Sequence, residues 1–254
     1  MSNNQETGVD IPQSAVKRLT NIIFLIDTSG SMGEYGKMDA VNNAMHEAIP
    51  IVRNFAAKEA SVKLKCSILE FNSGTRWIAE QVDAEDLQWM DLNALGGTSL
   101  GAAYRQLASK LTRKEGGVLA QHFNNAPIII LITDGYPTDD ALGGLSLLKK
   151  NNWFMAAVKI AIDITEGDVD RKQLIEFTGT SELVIPVASD RLEKVLKNIV
   201  VDTFTHSEDV QNYVNNRTSG DGNDNQSQVP STSQEPTEKS THTTGSIGLD
   251  DFDF

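Results

Sequence analysis

Cysteine is nearly missing from this chain of 254 residues: Cys66 is the one copy, so an intramolecular disulfide framework is excluded and a reducing compartment is expected. Cys66 falls inside an apolar strand pattern and is read as a small buried hydrophobe. Histidine is scarce as well. His46, His122, His206 and His242 stand beside none of the oxygen-rich motifs below, which leaves no Cys/His set for zinc. Positive charge is short, with 22 Lys and Arg against 35 Asp and Glu and a net charge of −13. That balance argues against nucleic acid and anionic membranes as partners. No apolar run approaches the roughly 18 residues that a membrane span needs. The opening "MSNNQETGVD" lacks a basic stretch followed by an apolar core, so no signal peptide is expected and a cytoplasmic location is the default. "DTSGSMG" has no Lys at phosphate-loop spacing, which disfavours nucleotide binding.

What is present is a globular composition, 39% hydrophobic with three Trp and nine Phe, arranged as alternating strand and helix patterns. Asn21 to Ile26 reads as a first strand, apolar throughout because helices would cover both faces. Met38, Val41, Met45, Ile49, Val52 and Phe55 repeat at helical spacing, with Pro50 expected to bend that helix or start a new turn. Val62 to Phe71 and Arg76 to Val82 read as strands joined by the short link "NSGT", hence antiparallel. Leu100, Tyr104, Leu107 and Leu111 share a helical face that starts just after Thr98. "APIIILITD" is a fourth strand, followed by a helix near Asp139 to Lys149, a strand from Trp153 to Ile162, a short helix near Asp170 to Phe177, a strand at Leu183 to Pro186 and a helix near Leu192 to Phe204. This alternation predicts an α/β fold, a doubly wound open sheet with helices on both faces, mostly parallel with one antiparallel edge strand.

Three motifs carry chemistry. "LIDTSGSM" sets Asp27, Ser29 and Ser31 at alternate positions where the first strand gives way to a Gly-containing loop, "GGTSL" supplies Thr98 at a helix start, and "LITDGYP" supplies Asp134 at the end of the fourth strand. Any one of them alone is ordinary turn and capping chemistry. Together they form an all-oxygen donor set, which suits a hard cation of the Mg²⁺ kind, with Mn²⁺ as a substitute, over zinc.

With these residues the chain resembles the von Willebrand factor A domain, whose metal-ion-dependent adhesion site (MIDAS) has the pattern D-x-S-x-S, a distant Thr and a distant Asp. The resemblance covers about residues 20–204, leaving 1–19 as an N-terminal extension. It implies a Rossmann-like sheet in the order 3-2-1-4-5-6. It also implies that Ser29 and Ser31 bind the metal directly, Thr98 directly or through water, and Asp27 and Asp134 mainly through bound waters. Neutral hydroxyl ligands leave the cation under-neutralised, so a partner protein's carboxylate can complete the shell. The uninterrupted domain, "EAIP", Arg76-Trp77 and "LNALGGTSLG" resemble the cytoplasmic bacterial branch linked to tellurium resistance, often called TerY-like. That resemblance implies a stress or phage-defence setting, with a Ser/Thr kinase and a PP2C-type phosphatase as partners.

Residues 205–254 change character. Ser, Thr, Asn, Gln, Gly and Pro dominate, with acidic residues against only Arg217 and Lys239, so a disordered acidic tail is expected. Its last stretch, with Asp250, Asp251, Phe252, Asp253 and Phe254, reads as a short docking motif for an apolar pocket rimmed by basic residues, or as a competitor for the metal site. The logic is similar to that of the acidic, Phe-terminated tails of bacterial single-stranded-DNA-binding proteins.

The expected function is therefore a Mg²⁺-dependent protein-interaction adaptor and not an enzyme. One alternative is a substrate adaptor for an AAA+ ATPase. Another is a Mg²⁺-dependent phosphohydrolase, since Asp27 is placed similarly to the nucleophile of haloacid dehalogenase phosphatases. That chemistry needs a second Asp two residues on as proton donor, and Ser29 stands there.

Overall fold

The central strand β1, Arg18–Asp27, is buried at every residue except Arg18, because it has a parallel partner on each edge and a helical layer on each face. The structure, a computed structural model, describes residues 18–58, 62–120, 124–165 and 171–205; the chain divides after Ser219, and all of these lie before that point. Residues 206–254, including Asp250 to Phe254, lie outside the described residues, as does most of the 1–19 extension.

From β1 the chain passes through a 3₁₀ stretch, Gly30–Gly36, into α1, Lys37–Lys58. Two strands follow, β2, Val62–Phe71, and β3, Thr75–Asp83. The remaining elements are α2, Leu100–Lys110, β4, Ile128–Thr133, α3, Ala141–Leu148, α4, Asn152–Ala156, β5, Val158–Asp163, α5, Lys172–Thr178, β6, Val184–Pro186, and α6, Leu192–Thr205. The six strands form one sheet in the order β3-β2-β1-β4-β5-β6. All neighbours are parallel except β2 and β3, as the brief link between them requires.

The period-two alternation of strand side chains sends the two faces to two cores. Ile22, Phe24 and Ile26 of β1 join Ile130 and Ile132 of β4 under α1 and α6. Ile23 and Leu25 join Ile129 and Leu131 in the other layer, with Tyr104 and Leu107 of α2 and Leu145 of α3. Each such side chain contributes about 1.5–3 kcal/mol on burial, against about 1 kcal/mol net for a hydrogen bond. The apolar middles of the strands therefore set the register, and the polar residues at their carboxyl ends follow it.

Three local outcomes differ from the sequence reading. First, β1 starts three residues earlier, at Arg18, which pairs with Val62. Second, α1 runs on through Pro50, because Pro50 and His46 are both exposed and solvent can satisfy the carbonyl that Pro50 leaves without a donor. Third, the stretch from Trp153 is not yet strand: the Asn151 side chain accepts from the amides of Trp153 and Phe154 at 2.9 and 3.3 Å, capping the short α4 and delaying β5 to Val158. Helix α2 starts just after Ser99, as expected, and the Asp139 carboxylate accepts from the amides of Gly101 and Ala102, each at 2.8 Å. Cys66 is fully buried, and burial pushes its thiol up to about 12.

Helices α2 and α3 meet through glycine. A Cβ on Gly144 would stand 2.5 Å from the Gly101 carbonyl oxygen and 2.9 Å from Gly101 Cα. Gly144→Ala gains roughly 1 kcal/mol of helix propensity, but it forces two backbones apart at a cost of roughly 1–3 kcal/mol or more, since no side chain can move aside. The expected outcome is a net loss of about 1–2 kcal/mol, seen as a melting temperature lower by roughly 3–8 °C; an unchanged or higher melting temperature would show that the helices separate freely.

Candidate metal centre

Register alone brings the acidic residues together. Ile26 of β1 pairs with Ile132 of β4, so Asp27 and Thr133 come next on adjacent strands, with Asp134 one residue further on. The Thr133 hydroxyl donates to Asp27 Oδ2 at 2.6 Å, and Asp27 Oδ1 accepts the Ser29 amide at 2.8 Å. Asp27 is fully buried. This is the switch point where β1 leads to β2 on one side and lies against β4 on the other, the place where open α/β sheets gather ligands.

The hydroxyls converge on the same point. Ser29 Oγ lies 3.1 Å from Ser31 Oγ, and Ser31 Oγ donates to Asp134 Oδ1 at 2.9 Å. The Thr98 loop is fastened from both sides. Gly30 N donates to the Gly96 carbonyl at 2.9 Å and Leu95 N to the Thr28 carbonyl at 2.8 Å, while Thr138 N donates to the Thr98 carbonyl at 2.8 Å and Thr138 Oγ1 accepts from Thr98 N at 3.0 Å. Gly96 is the residue that the turn cannot exchange, with φ +81° and its Cα packed on Ser73. Asp27, Ser29, Thr98 and Asp134 are buried and Ser31 is half-buried.

These residues fit a hard divalent cation. The contacts of 3.1 and 2.9 Å along Ser29, Ser31 and Asp134 are hydrogen bonds that gather hydroxyl and carboxylate oxygens into one cluster. Among the described residues no three His, Cys, Asp or Glu side chains gather at a metal position, so a site here needs the hydroxyls.

Two participants escaped the sequence reading. Lys37, the first residue of α1, is buried and places Nζ 2.7 Å from Asp134 Oδ2. Its signal was available: it lies four residues before Val41 on the buried face of α1, and a cation in a first helical turn opposes the helix dipole. Thr133 looked like the last residue of an apolar strand. His46, which stands beside none of the motifs, is exposed, and its Nε2 lies 2.7 Å from Asp91 Oδ1. Burial pushes the Asp27 carboxyl up from its usual 3.8 to about 6; hydrogen bonds from Thr133 and Ser29 pull the other way, and the nearby Asp134 adds to the rise.

Comparison with known proteins places this geometry. The model of the von Willebrand factor type A domain matches residues 21–200. The human collagen alpha-6(VI) chain is 31% identical over 111 residues, which is 43% of this chain and 5% of that one. Among solved structures, the pilus adhesin SpaC of Lactobacillus rhamnosus GG is similar with a TM-score of 0.60 at 17% identity, over 76% of this chain and 31% of SpaC. Proximal thread matrix protein 1 of the mussel byssus, solved with a zinc-occupied MIDAS motif, is similar with a TM-score of 0.51 at 19% identity, over 74% of this chain and 46% of that one. The chain thus spans less than half of each of these proteins.

A raised carboxyl pKa means that the folded chain holds its proton more tightly than the unfolded chain between about pH 4 and 6. Ionising Asp27 therefore costs native stability as pH rises through 6, by about 3 kcal/mol at most. In the metal-free protein Asp27→Asn removes that cost but weakens the bond with Thr133, for a net gain of about 1–2 kcal/mol at pH 8 that shrinks toward zero near pH 4. Urea unfolding of metal-free protein at the two pH values checks this; equal effects at both would show that Asp27 does not titrate in the folded state between them.

Proposed function

The chain belongs to the von Willebrand factor type A family, and from that premise we propose that it is a protein-interaction adaptor whose Mg²⁺ ion, with Mn²⁺ as a substitute, recruits a carboxylate from a partner protein. The observation that supports this reading is the hydrogen-bonded run of hard oxygen donors Ser29, Ser31 and Asp134, in a site otherwise completed by Thr98 and Asp27. The bound ion supplies a Lewis-acidic position for an outside oxygen ligand. Ser29 and Ser31 hold it without cancelling its charge, Asp27 orients the Ser29 backbone, and Asp134 orients Ser31. Beside the site, a pocket lined by Leu100, Tyr136, Pro137 and Leu174, with Arg171 in its wall, offers apolar surface to the residues that flank the partner's carboxylate.

An adaptor accounts for the acidic residues better than phosphoester hydrolysis does. Both oxygens of Asp27 are engaged, by the Ser29 amide and the Thr133 hydroxyl, and the side chain is fully buried. A nucleophile would need one of those oxygens free and facing substrate. The tellurium-resistance-like stress or defence setting, the kinase and PP2C-type phosphatase partners and the cytoplasmic location extend this proposal on the strength of the sequence resemblance. Among the described residues no helix is long and apolar enough to cross a membrane. An AAA+ ATPase appearing among the captured partners would favour the alternative adaptor role.

Titration calorimetry with MgCl₂ and MnCl₂ should show one site per chain, lost in Ser29→Ala. The fold should survive that change, because Ser29 supports the loop through its backbone, donating to Asp27 and accepting from Met32 N at 3.1 Å. Partners captured on the immobilised domain in Mg²⁺ should be released by EDTA and missing from Ser29→Ala. Unchanged affinity in Ser29→Ala, or one-to-one binding of Zn²⁺ in place of Mg²⁺, would overturn the assignment.

A further inference from the structure

A lysine holds the carboxylate that the metal site needs. Lys37 Nζ donates to Asp134 Oδ2 at 2.7 Å, its side chain is 8% exposed and that of Asp134 fully buried, and the Tyr35 ring centroid lies 5.7 Å from the ammonium. An ammonium is expensive to bury without a partner. The first turn of a helix, with its exposed amide dipoles, is the least favourable end for a cation. The chain nevertheless bends to place it there. After the extended Glu34, Tyr35 and Gly36 both take positive φ, 53° and 68°. The left-handed conformation is strained for Tyr35, which has a Cβ. This two-residue reversal starts α1 at Lys37 and aims the side chain at Asp134.

The charges explain the arrangement. Asp27 and Asp134 occupy one buried site, and Asp134 already bears on the ionisation of Asp27. Asp134 offers Oδ1 to Ser31 and Oδ2 to Lys37, so one carboxylate bridges the hydroxyl run and the ammonium. A divalent ion seated against Ser29 and Ser31 would meet that ammonium across a single carboxylate, at a distance where like charges repel strongly in a buried setting.

We propose that Lys37 is a built-in cation of the metal site: it neutralises Asp134 when no divalent ion is bound, a divalent ion displaces it from that carboxylate, and the freed ammonium then faces the incoming partner carboxylate. The inference rests on the metal-binding reading above and adds to it. The domain is stable without metal, its affinity for the ion is set lower than the oxygen ligands alone would give, and the occupied site carries one extra positive charge for an acidic partner.

The test compares wild type with Lys37→Met, which keeps the buried volume and removes the charge, and with Lys37→Arg, which keeps the charge. Titration with MnCl₂ should give about tenfold or tighter binding in Lys37→Met than in wild type, and near-wild-type binding in Lys37→Arg. Thermal melts supply the second readout: in EDTA Lys37→Met should melt below wild type, and saturating Mn²⁺ should raise both melting temperatures, that of Lys37→Met by more, so that the difference narrows. Wild type that binds Mn²⁺ with an affinity that Lys37→Met leaves unchanged would overturn the role of Lys37 and leave the metal site standing. Mn²⁺ binding by neither protein would overturn the metal reading and this inference with it, whereas binding by Lys37→Met alone would show the ammonium blocking the site outright. Lys37→Met that stays unfolded in both EDTA and Mn²⁺ would assign the lysine to the core and overturn the exchange.

Discussion

Two carboxylates at the carboxyl ends of β1 and β4 are forced into each other's company by a register that the apolar strand interiors decide. Ile22 to Ile26 and Ile128 to Ile132 pair one against the next, and several kcal/mol of burial stand behind each layer. Asp27 and Asp134 have no say in where they end up. Everything polar around them follows from accommodating that charge: the Thr133 hydroxyl and Ser29 amide on Asp27, the Ser31 hydroxyl and Lys37 ammonium on Asp134. The loops carrying Ser29 and Thr98 are bound to each other by backbone bonds, Gly30 to Gly96 and Leu95 to Thr28, so they cannot retreat from the site. The structure stores an electrostatic demand that a cation meets.

How much of this was legible in the sequence follows from which interactions are local. The strands of unbroken aliphatic residues, the helical spacing of α1 and α2 and the antiparallel pair β2–β3 are encoded by periodicity and link length, and all are present, with β1 begun three residues early. The residues of the D-x-S-x-S run lie together at the end of β1, since three donors on one loop must lie near each other. The misreadings came from capping and solvent exposure. Asn151 claims Trp153 and Phe154 for a helical turn although their side chains suit a strand, and Pro50 passes through α1 because its missing donor faces outward. The caps supplied from afar, such as Asp139 at the start of α2, have no trace in a linear pattern.

Lys37 is the instructive omission. A lysine at the beginning of an amphipathic helix is read by default as solvated, and the five-position pattern looked complete without it. Its partner is 97 residues away, and only the parallel placement of β4 beside β1 brings them together. The same placement makes Asp134 more than a prospective ligand: its removal would leave a buried ammonium with nothing to neutralise it. Asp134 is thus also a residue of the fold, whereas Ser29 supports its loop through backbone groups and leaves its hydroxyl free of that duty.

Cys66 carries a consequence for where such a domain can work. Its sulfur is fully enclosed in the core under α1, and its thiol is held near 12, so almost no thiolate exists at neutral pH to react with oxidants, glutathione or alkylating reagents. Rarity of cysteine alone suggested a reducing environment, yet a thiol that never meets solvent is indifferent to redox potential. The scaffold is chemically neutral toward its surroundings: the same hydroxyl and carboxylate chemistry can be presented in a reducing cell interior or in an oxidising exterior without a single covalent adjustment.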